Sequence, residues 1–399
     1  MATNPHVIGR RPPSAGVRLS LSDPTVRGVV YQVVMIGLVA ALGYWLVRNT
    51  MHNLEVRKIA SGFGFLSREA GLPIGDTPFL DYTPEDSYLT ALVVGVLNTA
   101  RVAVAGVILA TVLGTFIGIA RLSKNWLLAR CAHLYVEVMR NIPLLLQLIF
   151  WWVVLQSLPG VRQAIDFGFS IFLSNRGIKY PVPIWQPGYG VVLGAFAVGC
   201  VVAWGVARWA RLRQEATGQQ FPSFWAGLGA MLGLPLLAFL AIGAPAELSR
   251  PALRGFNFVG GGTLTPEFAA LLIGLVTYTA AFIAEIVRSG ILAVPQGQWE
   301  AAGSLGLPRS RVLKLVVLPQ ALRVIVPPMT SQYLNITKNS SLAVAIGYPD
   351  LVSIANTTMN QTGQAIEGVA IIMAVYLTIS LSISAFMNWY NRRIALVER

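Results

Sequence analysis

The chain has 399 residues, of which 55% are hydrophobic and only 12% charged. Soluble globular domains carry about twice that charged share, so an ordinary cytosolic enzyme is excluded, and so is disorder, which needs low hydrophobicity. Net charge is +13, from 30 Lys and Arg against 17 Asp and Glu. In a soluble chain such an excess reads as a nucleic-acid footprint; in a chain this apolar, the question is where the basic residues sit.

Residues 1–27 are polar and basic, and the apolar run after them is too long for the core of a secretory signal. Runs of mainly apolar residues long enough to cross a hydrocarbon layer of about 30 Å fall at 28–48, 89–120, 132–157, 188–207, 223–245, 267–288, 325–346 and 368–390. They predict an all-α polytopic membrane protein. Counting Arg288 and Arg48 with the loops they border, the segments 1–27, 121–131, 208–222, 289–324 and 391–399 hold eighteen Lys and Arg, against nine in 49–88, 158–187, 246–266 and 347–367. Arg101, Arg140 and Lys338 lie inside apolar runs. Basic loops stay on the cytoplasmic side, so both termini and the 289–324 loop are expected there, as an even number of spans requires. The segment 49–88 carries Glu55, Glu69, Asp76, Asp81, Glu85 and Asp86 and is too polar to insert. Its Leu and aromatic content implies packing on the outer face, with a plain connector as the alternative.

Cysteine and histidine exclude more than they assign. The two Cys, Cys131 and Cys200, sit in apolar context, and the three His, His6, His52 and His133, have no metal-ligand spacing. Neither a zinc site nor a disulfide is expected, and no cofactor is implied.

The loop 289–324 carries the strongest pattern. Pro295 and Gly297 allow a sharp turn after the preceding span. A short helix can start near Gln298, with Glu300 in its first turn facing the positive helix end and with Ala301 and Ala302 as a smooth face. Gly306 suits a left-handed cap and Pro308 the first turn of a second helix. That helix is expected over Arg309 to Leu318, with Val312, Leu315 and Val316 on one face, and Pro319 bending it back toward the bilayer. A helix pair of this kind can simply rest on lipid headgroups. The spacing Glu300-Ala301-Ala302…Gly306…Val316-x-Leu318-Pro319, however, resembles in full the signature loop of ATP-binding-cassette (ABC) importer permeases.

Further stretches resemble the polar-amino-acid permeases of that family: Leu97-Asn98-Thr99-Ala100-Arg101, Met139-Arg140-Asn141-Ile142-Pro143-Leu144-Leu145-Leu146-Gln147, Ala284-Glu285-Ile286-Val287-Arg288 and Lys338-Asn339-Ser340-Ser341. The resemblance covers about 90–155 and 267–395. The enlargement outside it, with Ile59-Ala60-Ser61-Gly62-Phe63 and Asn388-Trp389-Tyr390, is similar to general L-amino-acid permease subunits and to glutamate/glutamine/aspartate/asparagine permeases of the same build. The resemblance implies the type I importer fold, a five-helix core with about three additional spans. It divides the chain into a cytoplasmic tail 1–27, an extra helix and outer loop 28–88, a first core part 89–157, an insertion with a helix pair 158–266, and a second core part 267–399. It also implies a homologous permease chain, two ATPase subunits, an extracytoplasmic amino-acid-binding protein, membrane lipid around the chain, an L-amino-acid substrate and a bacterial inner membrane, and no nucleic acid. The loop residues Glu300, Ala301, Ala302, Gly306, Leu318 and Pro319 would meet the ATPase.

A zwitterionic substrate needs a cation or N–H donors for its carboxylate and an anion or carbonyls for its ammonium. Charges within a bilayer cost about 2.5–3.5 kcal/mol each on the lenient scale, so they pair, face a cavity or act. The embedded candidates are Arg101, Glu137, Arg140, Glu285 and Lys338. Glu137 and Arg140, three residues apart, form either an ion pair or a carboxylate receiver. Pro143 can break its helix and free polar backbone groups nearby. The substrate path is therefore expected at Arg140, Asn141, Pro143, Gln147, Glu285, Lys338, Asn339 and Ser340, with interhelix hydrogen bonding as the alternative for the last cluster. No Gly-x-x-x-x-Gly-Lys-Ser/Thr run occurs, so ATP chemistry must come from another chain. An ion-driven secondary transporter would leave the cytoplasmic helix pair unexplained. A membrane hydrolase would have to draw its base from three poorly placed histidines.

Overall fold

The computed structural model describes residues 24–56, 61–186, 188–243 and 247–394. The basic tail before Pro24, with Arg10, Arg11 and Arg18, lies outside the described residues, as do Ile59 and Ala60 and the C-terminal Arg399. Helix α1, Pro24–Val56, is a lipid-length span. The segment after it makes a 3-10 turn at Phe63–Ser67 and leads to α2, Tyr88–Ala120, capped by the Ser87 hydroxyl accepting from the Thr90 amide. Helix α3, Trp126–Asn141, starts at Asn125, whose side-chain oxygen accepts from the Leu127 and Leu128 amides at 3.0 and 3.2 Å. Helix α4, Leu144–Gln156, follows at a 104° bend.

The chain then forms β1 (Ile165–Asp166), β2 (Phe172–Ser174), β3 (Gly177–Tyr180) and β4 (Val182–Pro183). A helix pair comes next, α5 (Tyr189–Thr217) and α6 (Ser223–Ala241), then β5 (Leu248–Ser249), β6 (Ala252–Arg254), β7 (Asn257–Val259) and β8 (Gly262–Leu264). Helix α7, Pro266–Leu292, begins with the Thr265 hydroxyl as cap, Pro266 at its first position and Glu267 in its first turn. The elbow α8 (Gln296–Ser304) and α9 (Arg309–Val312) precedes α10 (Leu318–Asn339). After a 3-10 turn at Ser340–Ile346 come α11 (Leu351–Thr362) and α12 (Ala365–Ile394).

Seven described helices are long and apolar enough to span a membrane, and the bent α3–α4 pair makes an eighth element in the expected order. One expectation changes here: 132–157 is not a single helix. Pro143 cannot supply the amide that would continue α3, and the chain turns at Ile142–Pro143 instead.

Helix α7 is the centre of the bundle, and its neighbours approach it through glycine. A Cβ at Gly114 of α2 would stand 2.6 Å from Ile283 Cβ, and one at Gly118 would stand 2.7 Å from the Ala284 carbonyl. A Cβ at Gly274 would collide with Leu148 of α4, and one at Gly290 with Ile325 of α10. Lipid removes the hydrophobic gain of helix association, so close packing of small residues is what remains to hold such helices.

The insertion has its own base. Strand β3 pairs antiparallel with β8, Ile178 opposite Leu264 and Tyr180 opposite Gly262, and β1 and β2 extend the sheet. Strands β4–β5 and β6–β7 pair likewise. This clasp, absent from the span-based reading, ties the chain before α5 to the chain just before α7. The helix pair is thereby an excursion from the five-helix core, closed through Gly199, where a Cβ would reach the Ala230 carbonyl at 2.7 Å. The segment 61–87 lies at the same end of the bundle and packs: Phe65 is fully buried and meets Tyr88 edge-on at 6.0 Å, with Ala70 and Leu72 buried beside it.

Substituting Gly114→Leu should cost about 1–3 kcal/mol through overpacking and lower the melting temperature in detergent. Gly205→Leu on α5, where nothing lies within 4 Å of the added Cβ, should leave it unchanged. Equal shifts for the two would remove the seam from the account.

Candidate functional site

The elbow is a two-faced structure. Pro295 starts α8, and Gln296 rather than Gln298 is its first residue, so Glu300 lies in the second turn, beyond the first-turn dipole position. Ala301 and Ala302 do not share a face. Ala302 is buried, and in one cluster with Val312, Val317, Val287 and Ile325, while Ala301 and Glu300 are exposed. Gly306 adopts the left-handed conformation at φ +71°, and the turn it makes leaves Leu305 79% exposed at the tip.

The second helix differs from expectation. Pro308 caps α9 rather than entering it, and α9 leads into a π-turn over Leu313–Val317 that runs straight into α10. Pro319 therefore does not bend the chain. It falls in the first turn of α10, where a missing amide is tolerated, and Arg309–Ile346 forms one continuous span. The buried face is Val312 and Val317, while Leu315 is 62% exposed, because the wider π-turn rotates the face. Leu318 is 47% exposed beside the buried Ala321.

Above the elbow, one ionic chain links three helices. Glu285 of α7 accepts from Arg288 at 2.6 Å and from Arg121 at the end of α2. Arg121 also reaches His133 Nδ1 at 3.1 Å, and His133 Nε2 lies 3.1 Å from Glu137. The expected Glu137–Arg140 pair does not form. His133, one turn before Glu137, occupies its carboxylate, and the Arg140 guanidinium rests over the Phe282 ring at 5.1 Å.

The remaining path residues gather at two helix breaks. At the α3–α4 bend, the Gln147 side-chain amide donates to the carbonyls of Met139 and Ile142 at 2.9 and 3.0 Å, and so satisfies groups that Pro143 frees. Gln147 is 6% exposed and its Oε1 has no partner among the described residues. Asn141 donates to the Glu137 carbonyl at 2.8 Å. At the end of α10, Ser340 is fully buried and donates to the Thr337 carbonyl at 2.7 Å, Asn339 is half-buried, and Lys338 is exposed without an ion pair among the described residues. The Ser340 bond to Thr337 is local, and Tyr376 of α12 hydrogen-bonds Ser340 from a second helix. The breaks themselves meet, since Leu144 and Leu148 of α4 share one buried cluster with Ala343 and Ile346.

Arg101 leaves the list of free membrane cations. It pairs with Asp76 at 3.1 Å and lies over the Phe268 ring at 3.8 Å. Asn98 donates to the carbonyls of Asp76 and Pro349 at 2.8 and 3.0 Å, and Thr99 accepts from the Leu351 amide at 3.1 Å. The Asn98-Thr99-Ala100-Arg101 motif thus staples the 61–87 segment and the start of α11 onto α2. Burial pushes the Asp76 carboxyl up despite Arg101 beside it, so desolvation outweighs the attraction. Asp350, the cap of α11, accepts from the Ser353 amide at 2.8 Å, and burial pushes its carboxyl up to about 6. Beside this cluster opens a cavity of about 800 Å³, lined by Asp76, Arg176, Glu267 and Thr357. The sequence reading misses Asp76 and Phe268; the signal was Arg101 itself, an embedded cation in need of a carboxylate.

The family model for the inner membrane component of binding-protein-dependent transport systems matches residues 190–396. The general L-amino acid transport system permease protein AapQ of Rhizobium johnstonii is 49% identical over 96% of each chain. An Escherichia coli amino-acid ABC transporter permease protein, YhdX, is 52% identical over 96% of this chain and 97% of its own. The glutamate/glutamine/aspartate/asparagine permease protein BztB of Rhodobacter capsulatus is 43% identical over 97% and 99%.

Removing one partner of the buried Arg101–Asp76 pair leaves an uncompensated charge, a loss of about 3–5 kcal/mol. Arg101→Met and Asp76→Leu should each lower the melting temperature of the assembled protein, and the double variant should recover most of the loss. Additive losses would show that the pair does not act as a unit.

Proposed function

The chain belongs to the family of binding-protein-dependent transport system inner membrane components, and from that membership we propose how its two ends work. It is a multi-span permease subunit of an amino-acid ABC transporter. Its elbow end faces the cytoplasm, with both termini, as the basic loops imply. There α8 and the tip at Leu305 enter a cleft on a separate ATPase subunit, Glu300 pairs with a basic residue of that subunit, and Leu305 is the apolar anchor. A homologous permease chain, two ATPases and an extracytoplasmic binding protein complete the importer. The chain contributes no ATPase site of its own, in keeping with the missing phosphate-loop run.

The observation that carries this reading is the two-faced elbow: one side locked into the membrane core through Ala302 and Val317, the other exposed through Glu300 and Leu305. The opposite end, with its cavity of about 800 Å³, receives the loaded binding protein. The substrate path runs past the two helix breaks, where Arg140 and Lys338 are exposed cations able to receive an amino-acid carboxylate. The substrate range is that of a general L-amino-acid permease, supported by the near full-length likeness to the Rhizobium protein. The narrower glutamate, glutamine, aspartate and asparagine range is the second reading, from the likeness to the Rhodobacter protein.

Burying a leucine side chain is worth about 1.5–3 kcal/mol. Leu305→Ser should therefore weaken ATPase docking roughly 10–100-fold, and charge reversal in Glu300→Lys should separate ATP hydrolysis from uptake in proteoliposomes of the complete importer. Wild-type uptake by an assembled Glu300→Lys complex would contradict the coupling role.

A further inference from the structure

Two cavities run into each other beside the elbow. The first, about 400 Å³, is an apolar slot between α2, α7, α10 and α12, lined by Thr115, Val287, Leu322, Met329 and Phe386 among others. The second, about 610 Å³, lies against the elbow and is lined by Trp299, Arg309, Ser310, Leu313 and Lys314 among others. Ile119, Ile291 and Leu318 line both, so the two form one groove. Its deep part is mainly apolar, with two threonines and two tyrosines in its wall, and its mouth carries two cations, two serines and an indole. No Asp or Glu lines either cavity. The rim is open, with Ile119, Leu318 and Phe386 exposed at 52, 47 and 60%.

We propose that this groove seats one anionic glycerophospholipid of the cytoplasmic leaflet. An acyl chain lies in the slot, and the phosphate rests on Arg309 and Lys314. The proposal rests on the cytoplasmic placement of the elbow. Three features fit that occupant. An apolar slot that opens on an indole and two cations matches hydrocarbon beneath the interface and headgroups. Two basic side chains without a carboxylate favour an anionic headgroup over a zwitterionic one. And each volume falls within the range of small-ligand pockets, about 300–1,000 Å³.

The position gives the lipid a role. Leu313, Lys314 and Val317 belong to the π-turn that joins the elbow to α10. A π-turn is rare and often marks a functional site. A lipid wedged there braces the joint and makes coupling sensitive to the anionic lipid content of the membrane.

The test uses the complete importer in nanodiscs of equal phosphatidylglycerol and phosphatidylcholine, with lipid retained after detergent extraction counted by native mass spectrometry. The wild type should retain phosphatidylglycerol preferentially, one molecule per copy of this chain. The double variant Arg309→Gln/Lys314→Gln should lose roughly tenfold or more of that preference, the scale set by two basic groups at an anionic surface. Ile119→Trp, which plugs the throat with the charges intact, should lose retention of either lipid. ATPase subunits are quantified in the same samples. Equal retention of the two lipids by the wild type would overturn the proposal. So would a double variant that keeps phosphatidylglycerol but sheds the ATPase, which would assign the cations to that interface. A wild-type chain that binds no ATPase would instead sink the permease placement, with the lipid count still readable on the chain alone.

Discussion

Two apolar helices inside a bilayer gain nothing by hiding from lipid, so their association depends on how closely their backbones can approach. In this protein that approach is made at α7. Gly114 and Gly118 of α2 lie against its Ile283 and Ala284, its own Gly274 admits Leu148, and its Gly290 admits Ile325. Each of these contacts leaves no room for a side-chain carbon. They fix α2, α4 and α10 around one axis, and the elbow and the helix breaks are positioned relative to that axis. The ionic chain from Arg288 through Glu285 and Arg121 to His133 ties α7, the end of α2 and α3 together at the elbow end. The Arg101 cluster locks the opposite end.

A helix interrupted in a membrane must find new partners for the backbone groups it frees. Gln147 does this at the α3–α4 bend, and the 3-10 turn with Ser340 does it after α10. The breaks share a buried cluster, so a movement of α10 along its axis reaches α4 directly. Because α9, the π-turn and α10 form one span, the elbow and the second break are the two ends of one lever. Its inner face at Val312 and Val317 is buried with Val287 of α7 and Ala302 of α8. From Arg309 onward, no loop separates the elbow from the second break.

Much of this was legible in the residue order. Apolar runs located the spans, because hydrocarbon thickness sets their length regardless of partner. The Glu300-to-Pro319 spacing located the elbow, because a turn needs its glycine and a cap its proline at set positions. Pairings were less legible. Glu137 and Arg140 have ion-pair spacing, but His133 sits on the same face and Phe282 offers Arg140 a ring from another helix. Arg101 announced a need for a carboxylate, and Asp76 is one of six acidic residues in an outer segment expected to pack, with nothing in the spacing to single it out. The clasp was missed because its strands are two to four residues long, below any span-length window, although the Ser174-Asn175-Arg176-Gly177 and Arg254-Gly255-Phe256-Asn257 turns carry hairpin chemistry. Pro319 misled because a bend was assigned to the proline alone, whereas the π-turn before it shifts the register so that the ring falls at a helix start.

The claim that the elbow and α10 move as one body is tested by the distance between spin labels at Ser310 and Val344 in the assembled importer. The helical rise over that length places them about 50 Å apart. The account predicts a single narrow distance, the same with and without ATP. A distance that broadens or shifts when ATP binds would place a hinge inside the lever and contradict it.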